Sequence, residues 1–369
     1  MVEEFMSSNF NFEEQKEQSA IKTEIVTKYF NAWATILVKH FQKIAYVDLF
    51  AGPGIYEDGN KSTPIIITEK VIKNSEFAKK TLLYFNEMNP EYYQRLVTSV
   101  SQLDGINSLT FSPIFHKKEV TYETPKEFSN AKIPCFCFLD PSGYKGLSLN
   151  LISAFGKDSG TDVIFFFNYN DINRAITNSK VLSEMLELFG EKHYKLLLKK
   201  IQNQHGQNRE SIVVNEMAEA IRDIGIPHLL PFRFKFAGQE RTSHYLIFAS
   251  KNKTAFSIMK DIMYSIGEKD FNNIGKFEFI PSCDKEHFQQ LSIIDLFTTT
   301  FEDFKRYLCE QYHGKSMSVK NLIEQDITNT KFVRSQYKDA LKQLEAEGKI
   351  YCNSHKKNSM GDNVFVIFQ

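Results

Sequence analysis

The sequence predicts an α/β fold: a parallel sheet covered by helices on both faces, edged by an antiparallel hairpin, and followed by a helical module that carries a β-wing. Three observations predict it. Short apolar runs alternate with helix-like segments from Ala45 to Phe167, the pattern of strands buried on both faces. Two β-rich runs, Leu230–Ala237 and Ser243–Ser250, flank Gly-Gln-Glu-Arg-Thr, as in a hairpin. The tail reads helix, helix, helix and then two strands, the order of a winged helix-turn-helix.

Before the first strand, residues 1–18 form an acidic stretch expected to be poorly ordered; residues 1–20 hold five Glu against one Lys. From Ser19 to about His40 the apolar residues Ile21, Ile25, Val26, Tyr29, Phe30, Trp33, Ile36 and Leu37 recur at helical spacing, with Lys22, Lys28 and Lys39 among the polar positions. Strands follow at Ala45–Phe50, Thr81–Phe85, Leu109–Phe115, Cys135–Leu139 and Val163–Phe167. Between them helices are predicted over Thr63–Ile72, Glu91–Val100, Thr124–Ala131 and Leu147–Phe155, with Pro64 suited to a first helical turn. Residues 19–255 thus form the α/β domain, 256–300 a connecting segment with a helix near Phe256–Ile266, and 301–369 the winged module. In the last, Gly348 stands where a helix C-cap belongs.

Composition narrows the class. The 369 residues carry 45 basic and 45 acidic side chains, so bulk charge selects no partner. The five cysteines show no C-x-x-C spacing and read as structural thiols, with no metal site expected. No run reaches transmembrane length and no leader-like segment opens the chain, so a reduced, cytoplasmic protein without membrane contact is expected.

The chemistry-bearing residues sit at strand ends, where open α/β sheets bind ligands. The first strand ends in Asp48-Leu-Phe50-Ala51-Gly52-Pro-Gly54, a turn whose glycines let the backbone approach a cofactor. The second ends in Tyr84-Phe-Asn-Glu87-Met88; an acid there accepts hydrogen bonds from ribose hydroxyls. There is no G-x-G-x-x-G, and Phe50 stands between Asp48 and the glycines, which favours S-adenosylmethionine over a dinucleotide. A tight turn without ligand and an exposed strand-end Glu are the plainer readings. The chain here resembles Rossmann-like class I methyltransferases.

Over nearly its whole length the chain is similar to the three-Cys-motif partner protein family. The resemblance rests on the helix Ile21-Lys-Thr-Glu-Ile-Val-Thr-Lys-Tyr-Phe-Asn-Ala-Trp33, on Tyr46–Gly54, Ser62-Thr-Pro64, Asp140-Pro-Ser-Gly143, Phe167-Asn168 with Arg174, and His244–Ser250. It implies a methyltransferase-like fold and a separate partner protein bearing three cysteines.

The fourth strand ends in Asp140-Pro141-Ser142-Gly143-Tyr144, which resembles the D/N-P-P-Y motif of amino-methyltransferases and, more closely, the D-P-F-G motif of tRNA guanine-N2 methyltransferases. A carboxylate and a prolyl carbonyl can hold the hydrogens of an exocyclic amine and turn its lone pair outward, so positioning does most of the work. Ser142 replaces the stacking aromatic, a role open to Tyr144; a plain turn is the alternative. At the third strand's end no Asp stands on the adenine side; His116 or Glu119 could serve there, and a surface loop is the plainer reading. The fifth strand ends in Asn168, suited to a base or to helix capping, with Arg174 suited to phosphate.

In the tail, Arg334, Lys338 and Lys342 lie at i, i+4 and i+8 on one predicted helix, and the wing holds His355, Lys356 and Lys357. Both suit phosphate contacts, or a solvated face. Three functions follow: a methyltransferase acting on a nucleic-acid base, with RNA ahead of DNA; a catalytically degenerate scaffold working with a partner protein; and, weakest, a metal-dependent nuclease using Asp140, Glu87 and a Lys.

Overall fold

The computed structural model describes residues 2–121, 123–124, 133–156, 160–270, 273–281, 300–353, 356 and 359–369, with residues 2–16 described as backbone alone. The expected helix Thr124–Ala131 lies almost wholly outside these residues, as do Cys283, His355 and Lys357.

Helix α1 (Val2–Leu37) begins the chain, so the acidic stretch is continuous with it rather than a separate tail. Its residues Ile25, Val26, Tyr29, Phe30 and Trp33 are buried, the face the periodicity marks out. The central sheet contains β1 (Ile44–Asp48), β2 (Thr81–Asn86), β3 (Ile114–His116), β4 (Cys135–Leu139), β5 (Asp162–Phe167), β6 (His228–Lys235), β7 (Thr242–Ser250) and β8 (Glu278–Phe279). Their order across the sheet is β3-β2-β1-β4-β5-β7-β6-β8. All neighbours pair parallel except β7, which runs against both β5 and β6. This is the Rossmann-like arrangement of class I methyltransferases, with the strand order reversing beside β1.

The hairpin β6–β7 is present, with two refinements. The returning strand β7, not β6, abuts β5, and β8 adds outside β6. The physical cause is the long crossover from β5 through α6 (Tyr169–Ala175), α7 (Leu182–Lys200) and α8 (Gly206–Asp223). A helical crossover brings β6 back parallel to β5, and the short turn into β7 then fills the gap between them. Between α1 and β5 the described helices are α2 (Thr63–Lys73), α3 (Ser75–Lys80), α4 (Pro90–Ser101) and α5 (Leu149–Gly156).

The direction of α1 positions the site. Near its end, Trp33 Nε1 donates to Gly160 O at 3.1 Å, and Tyr29 donates to Asp162 Oδ2 at 2.7 Å, both at the start of β5. Eleven residues earlier Lys22 reaches Asp140, just past β4. A rise of about 16 Å over those residues matches the length of a five-residue strand. Helix α1 therefore runs antiparallel to the parallel strands, and the turn that holds Lys22 stands over their carboxyl ends.

After β7, α9 (Lys253–Ile266) packs beside α1 and meets the winged module. That module contains α10 (Phe301–Tyr312), β9 (Ser316–Ser318), α11 (Val319–Asp326), α12 (Arg334–Ala346), β10 (Ile350–Cys352) and β11 (Phe365–Phe368). Its buried Phe304, Leu308, Tyr337 and Leu341 belong to the same apolar core as Ile25, Phe30 and Phe136. Polar anchors reinforce the junction. The Lys260 amine, buried on α9, donates to Ile327 O at 2.7 Å and Thr330 O at 2.6 Å, beyond the end of α11.

Burial pushes the Lys260 amine down to about 7, against the pull of Asp261 and Asp326. A neutral amine has two N–H donors, which matches the two carbonyls. Between pH 7 and 9 the unfolded chain keeps this proton while the folded chain releases it, so stability rises with pH over that window. Lys260→Met should flatten this rise, read as the urea midpoint against pH. It should also cost about 2–4 kcal/mol at pH 8, because two buried carbonyls lose their donor.

Candidate functional site

The carboxyl ends of β1, β2, β4 and β5 lie side by side, and Lys22 of α1 reaches the end of β4. Asp48 is buried at the end of β1. Its Oδ1 accepts the Phe50 N–H at 3.1 Å, and Tyr46 donates to Oδ2 at 3.4 Å. Gly52 and Gly54 take positive φ angles of 69° and 80°, a region that favours glycine. Their surroundings differ. A Cβ on Gly54 would lie 3.2 Å from the backbone of Leu96, so this glycine lets α4 pack close. A Cβ on Gly52 would meet only the Tyr56 hydroxyl, at 3.9 Å, so the backbone there faces open space.

Glu87 ties the two strand ends together. Its Oε2 accepts the Gly52 N–H at 2.8 Å and its Oε1 the Asn89 N–H at 2.8 Å. Each oxygen keeps a second lone pair for a ligand hydroxyl. The adjoining Met88 is 60% exposed and offers an apolar surface. Ala51 is fixed by its N–H to Asn86 O at 2.9 Å. The Phe50 ring packs beneath Gly146, so Phe50 contributes backbone to the turn and its ring to the core. At the end of β3, His116 stacks on Tyr84 with centroids 4.7 Å apart, and Glu119 is exposed.

The electrostatics of this edge are carboxylate-rich. Burial raises the Asp48 carboxyl to about 8, and the charges of Asp140 and Glu87 add to it, while the Phe50 N–H and Tyr46 hydroxyl oppose. Tyr56 is pushed up to about 12, first by burial and then by Asp140 and Asp48. The Tyr56 hydroxyl stands over the glycine turn, 3.9 Å from where a Gly52 Cβ would lie, on a residue that is 42% exposed.

Asp140 is not vacant. Lys22 Nζ donates to Oδ1 at 3.1 Å and Oδ2 at 2.9 Å, and lies 4.5 Å from the centre of the Phe166 ring. Pro141 is buried and Tyr144 is half-buried against the core beside α5. Gly143, at φ 91°, stands next to the Asp171 carboxylate. Asn168 caps α6: its Oδ1 accepts the Asp171 N–H at 3.2 Å and its Nδ2 donates to Asp171 Oδ2 at 2.7 Å. Exposed Arg174 pairs with Asp171. Asp140 and Gly143 therefore lie together with Asn168 and Asp171, whereas Arg174 points from α6 toward solvent.

Three further residues stand at this edge with no role assigned to them by any motif. Lys22 is a polar position on an amphipathic helix, within the segment Ile21–Trp33 that carries the resemblance noted above, as His244 is within His244–Ser250. Tyr56 follows the glycine turn with no spacing rule to mark it. His244, 5% exposed at the start of β7, is sandwiched between Phe234 and Phe166. Its Nδ1 meets Ser243 Oγ at 3.0 Å, while its Nε2 has no partner among the described residues. Burial holds this imidazole well below the usual histidine range, with Lys22 adding to the effect.

A cavity of about 880 Å³ adjoins the site. It lies between α1, the loop after β1, α2 and α4, lined by Thr23, Glu24, Tyr56, Asp58, Tyr92 and Arg95 among others. It does not coincide with the Asp48–Asp140 edge; Pro53 and Tyr56 connect the two. Among the described residues no group of three His, Cys, Asp or Glu is placed to hold a metal ion.

In the winged module the predicted basic face is internally engaged. Arg334 and Lys338 both pair with Asp362, Lys338 at 2.9 Å, and Lys342 pairs with Asp339 at 3.1 Å. The Arg334 N–H at the start of α12 donates to Asp261 Oδ1 on α9 at 3.2 Å. Lys356 is exposed, and Lys357 lies outside the described residues. No helix among the described residues is long and apolar enough to cross a membrane.

Comparison with known proteins agrees with the module at the C terminus. A family model described as the GMT-like wHTH domain matches residues 279–357. No curated protein matches the chain. Among solved structures, protein LPL1258 from Legionella pneumophila is 13% identical with a TM-score of 0.37, over 66% of this chain and 91% of that one. The methyltransferase domain of bacterial CtHen1 is 13% identical with a TM-score of 0.31, over 62% of this chain and 98% of that one. The plantazolicin methyltransferase BpumL, solved with SAH, is 12% identical with a TM-score of 0.30, over 68% and 90%.

Proposed function

We propose that this chain is an S-adenosylmethionine-dependent methyltransferase acting on an exocyclic amine of a nucleic-acid base, RNA ahead of DNA, presented at Asp140–Pro141. The observation that carries the reading is the Lys22 amine seated on both oxygens of Asp140. Both oxygens of the carboxylate thus face one nitrogen donor, here the Lys22 ammonium, as they would face a target amine. The residues present also fit the cofactor: Gly52 gives backbone access, Glu87 keeps lone pairs for ribose hydroxyls, and Met88 offers an apolar face for adenine.

When bound, adenosylmethionine supplies the methyl group. The Asp140 carboxylate and the Pro141 carbonyl accept the amine hydrogens and turn the nitrogen lone pair toward the glycine turn. A base in a duplex would first have to leave the stack, at a cost of a few kcal/mol. Lys22 must release Asp140 for the target amine to enter. In line with the resemblance noted above, a three-cysteine partner protein is part of the same proposal.

The Lys22–Asp140 pair also favours a second reading, in which the pair stays closed and orients a hydroxyl target instead. Incubation with methyl-labelled adenosylmethionine and mixed RNA or DNA, followed by nucleoside chromatography, separates the two. A base-methylated nucleoside supports the first reading and a ribose-methylated one the second. Cofactor binding with no transfer to any nucleic acid would leave the scaffold reading.

Cofactor binding should also be linked to a proton. Asp48 is raised to about 8, so at pH 7 it is mostly protonated, and a sulfonium cation nearby should drive the proton off. The binding heat at pH 7 should therefore vary with the ionisation enthalpy of the buffer. In Asp48→Asn that variation should vanish; an unchanged buffer dependence would contradict the assignment.

A further inference from the structure

His244 is a buried polar side chain that the methyl-transfer geometry leaves unused. The register sets it opposite Phe234 on β6, and sets Phe166 of β5 opposite Leu246, two residues further along β7. Alternate strand residues share a face, so Phe166, His244 and Phe234 form one row. The centre of the imidazole is 4.4 Å from that of Phe234 and 4.5 Å from that of Phe166.

Helix α1 crosses this row. Gln18 Nε2 donates to Lys235 O on β6 at 3.0 Å. Lys22, one turn on and on the same helix face, reaches Asp140 beyond the end of β4. In the sheet β7 and β5 lie between those two anchors, so His244 and Phe166 are beneath the span. The Lys22 amine and the imidazole rest against one ring, the amine 4.5 Å from the centre of Phe166. The charge of Lys22 reaches His244 and, with burial, keeps it neutral.

A neutral imidazole has one N–H and one lone pair. With the proton on Nδ1, Ser243 Oγ accepts it at 3.0 Å. Nε2 is then a bare acceptor, buried and without a partner among the described residues. A buried acceptor left bare costs free energy, so a donor that comes within reach is held. Lysine brings three N–H donors on a stem of freely rotating carbons, so its amine can move while α1 stays in place.

We propose that His244 is a positioning residue that offers the Lys22 amine a second seat: when a target amine enters at Asp140, Lys22 turns from the carboxylate to His244 Nε2. The inference rests on the amine reading of the function, in which Lys22 must leave Asp140, and names where it goes. Phe166, which touches both groups, supplies a cation–π surface along the way.

The first test needs neither cofactor nor nucleic acid. Two-bond proton–nitrogen spectra of the full chain, carrying isotope-labelled histidine, read the state of Nε2. The His244 signal is assigned by its loss in His244→Phe, and unmoved signals from the other histidines show that each variant is folded. In the wild type Nε2 should resonate as a bare acceptor. Asp140→Ala frees Lys22 and should move Nε2 toward the hydrogen-bonded range, and Asp140→Ala/Lys22→Met should return it. A wild-type Nε2 that carries the proton overturns the proposal, as does one that stays put in Asp140→Ala or moves equally in the double variant. Kinetics on the identified substrate give the second readout. His244→Phe keeps the ring sandwich and removes the seat, so it should raise the target KM about tenfold at unchanged kcat. In a Lys22→Met background it should change nothing further. An unchanged KM, or the same rise without Lys22, also overturns the proposal. If the spectra respond as stated and no nucleic acid is methylated, the second seat stands and the amine reading falls.

Discussion

Asp140→Ala should lower methyl transfer by about 100- to 1,000-fold while leaving adenosylmethionine affinity within about twofold. Asp140 follows β4 and among the described residues pairs with Lys22, whereas the glycine turn is bonded to Asp48, Asn86, Glu87 and Ser62. Removing a positioned acceptor from a reacting amine takes away an interaction realised at the transition state, which lies in that range. Asp140→Asn, which keeps one acceptor oxygen, should fall between. Lys22→Ala then separates the two target chemistries. If an amine must displace Lys22, the variant should hold its kcat and lower its KM. If the pair orients a hydroxyl, the variant should lose activity as Asp140→Ala does. Steady-state kinetics on the identified substrate reads both.

Glu87→Ala should weaken adenosylmethionine binding by about 10- to 100-fold. The carboxylate holds the N–H groups of Gly52 and Asn89, and in the proposed cofactor site it would also meet the ribose hydroxyls. Losing hydrogen bonds to a charged group costs about 1.5–3 kcal/mol, and 1.4 kcal/mol is tenfold in affinity. Glu87→Gln keeps one acceptor and should lose less. Calorimetry reads the affinity, and an unchanged unfolding curve shows that the loss is local to the turn. An affinity equal to wild type in Glu87→Ala would remove this residue from the cofactor site.

The strand ends were the most legible part of the molecule. Cys135–Leu139 is a continuous apolar run closed by Asp-Pro, and the observed β4 has the same bounds. The glycine turn announces itself because two residues there need positive φ. The region between Ala175 and His228 is less legible, since α7 and α8 are long helices without a motif at either end. The β7 insertion depends on which strand reaches β5, a tertiary choice that local periodicity does not encode.

Within the site, what sequence cannot reveal is pairing across long separations. Lys22 and Asp140 are 118 residues apart and meet only because α1 runs against the strands. The same holds for the winged helix. Its Arg334, Lys338 and Lys342 do share one face, yet Asp362 from the wing engages the first two. The periodicity locates the charges; the fold decides whether they face solvent or each other.

The most direct test of the central claim is calorimetric titration of adenosylmethionine into the full, folded chain. Saturable binding at one site in the micromolar range, weakened in Glu87→Ala, is the predicted result. No binding up to millimolar cofactor, with the chain folded by its unfolding transition, would contradict it.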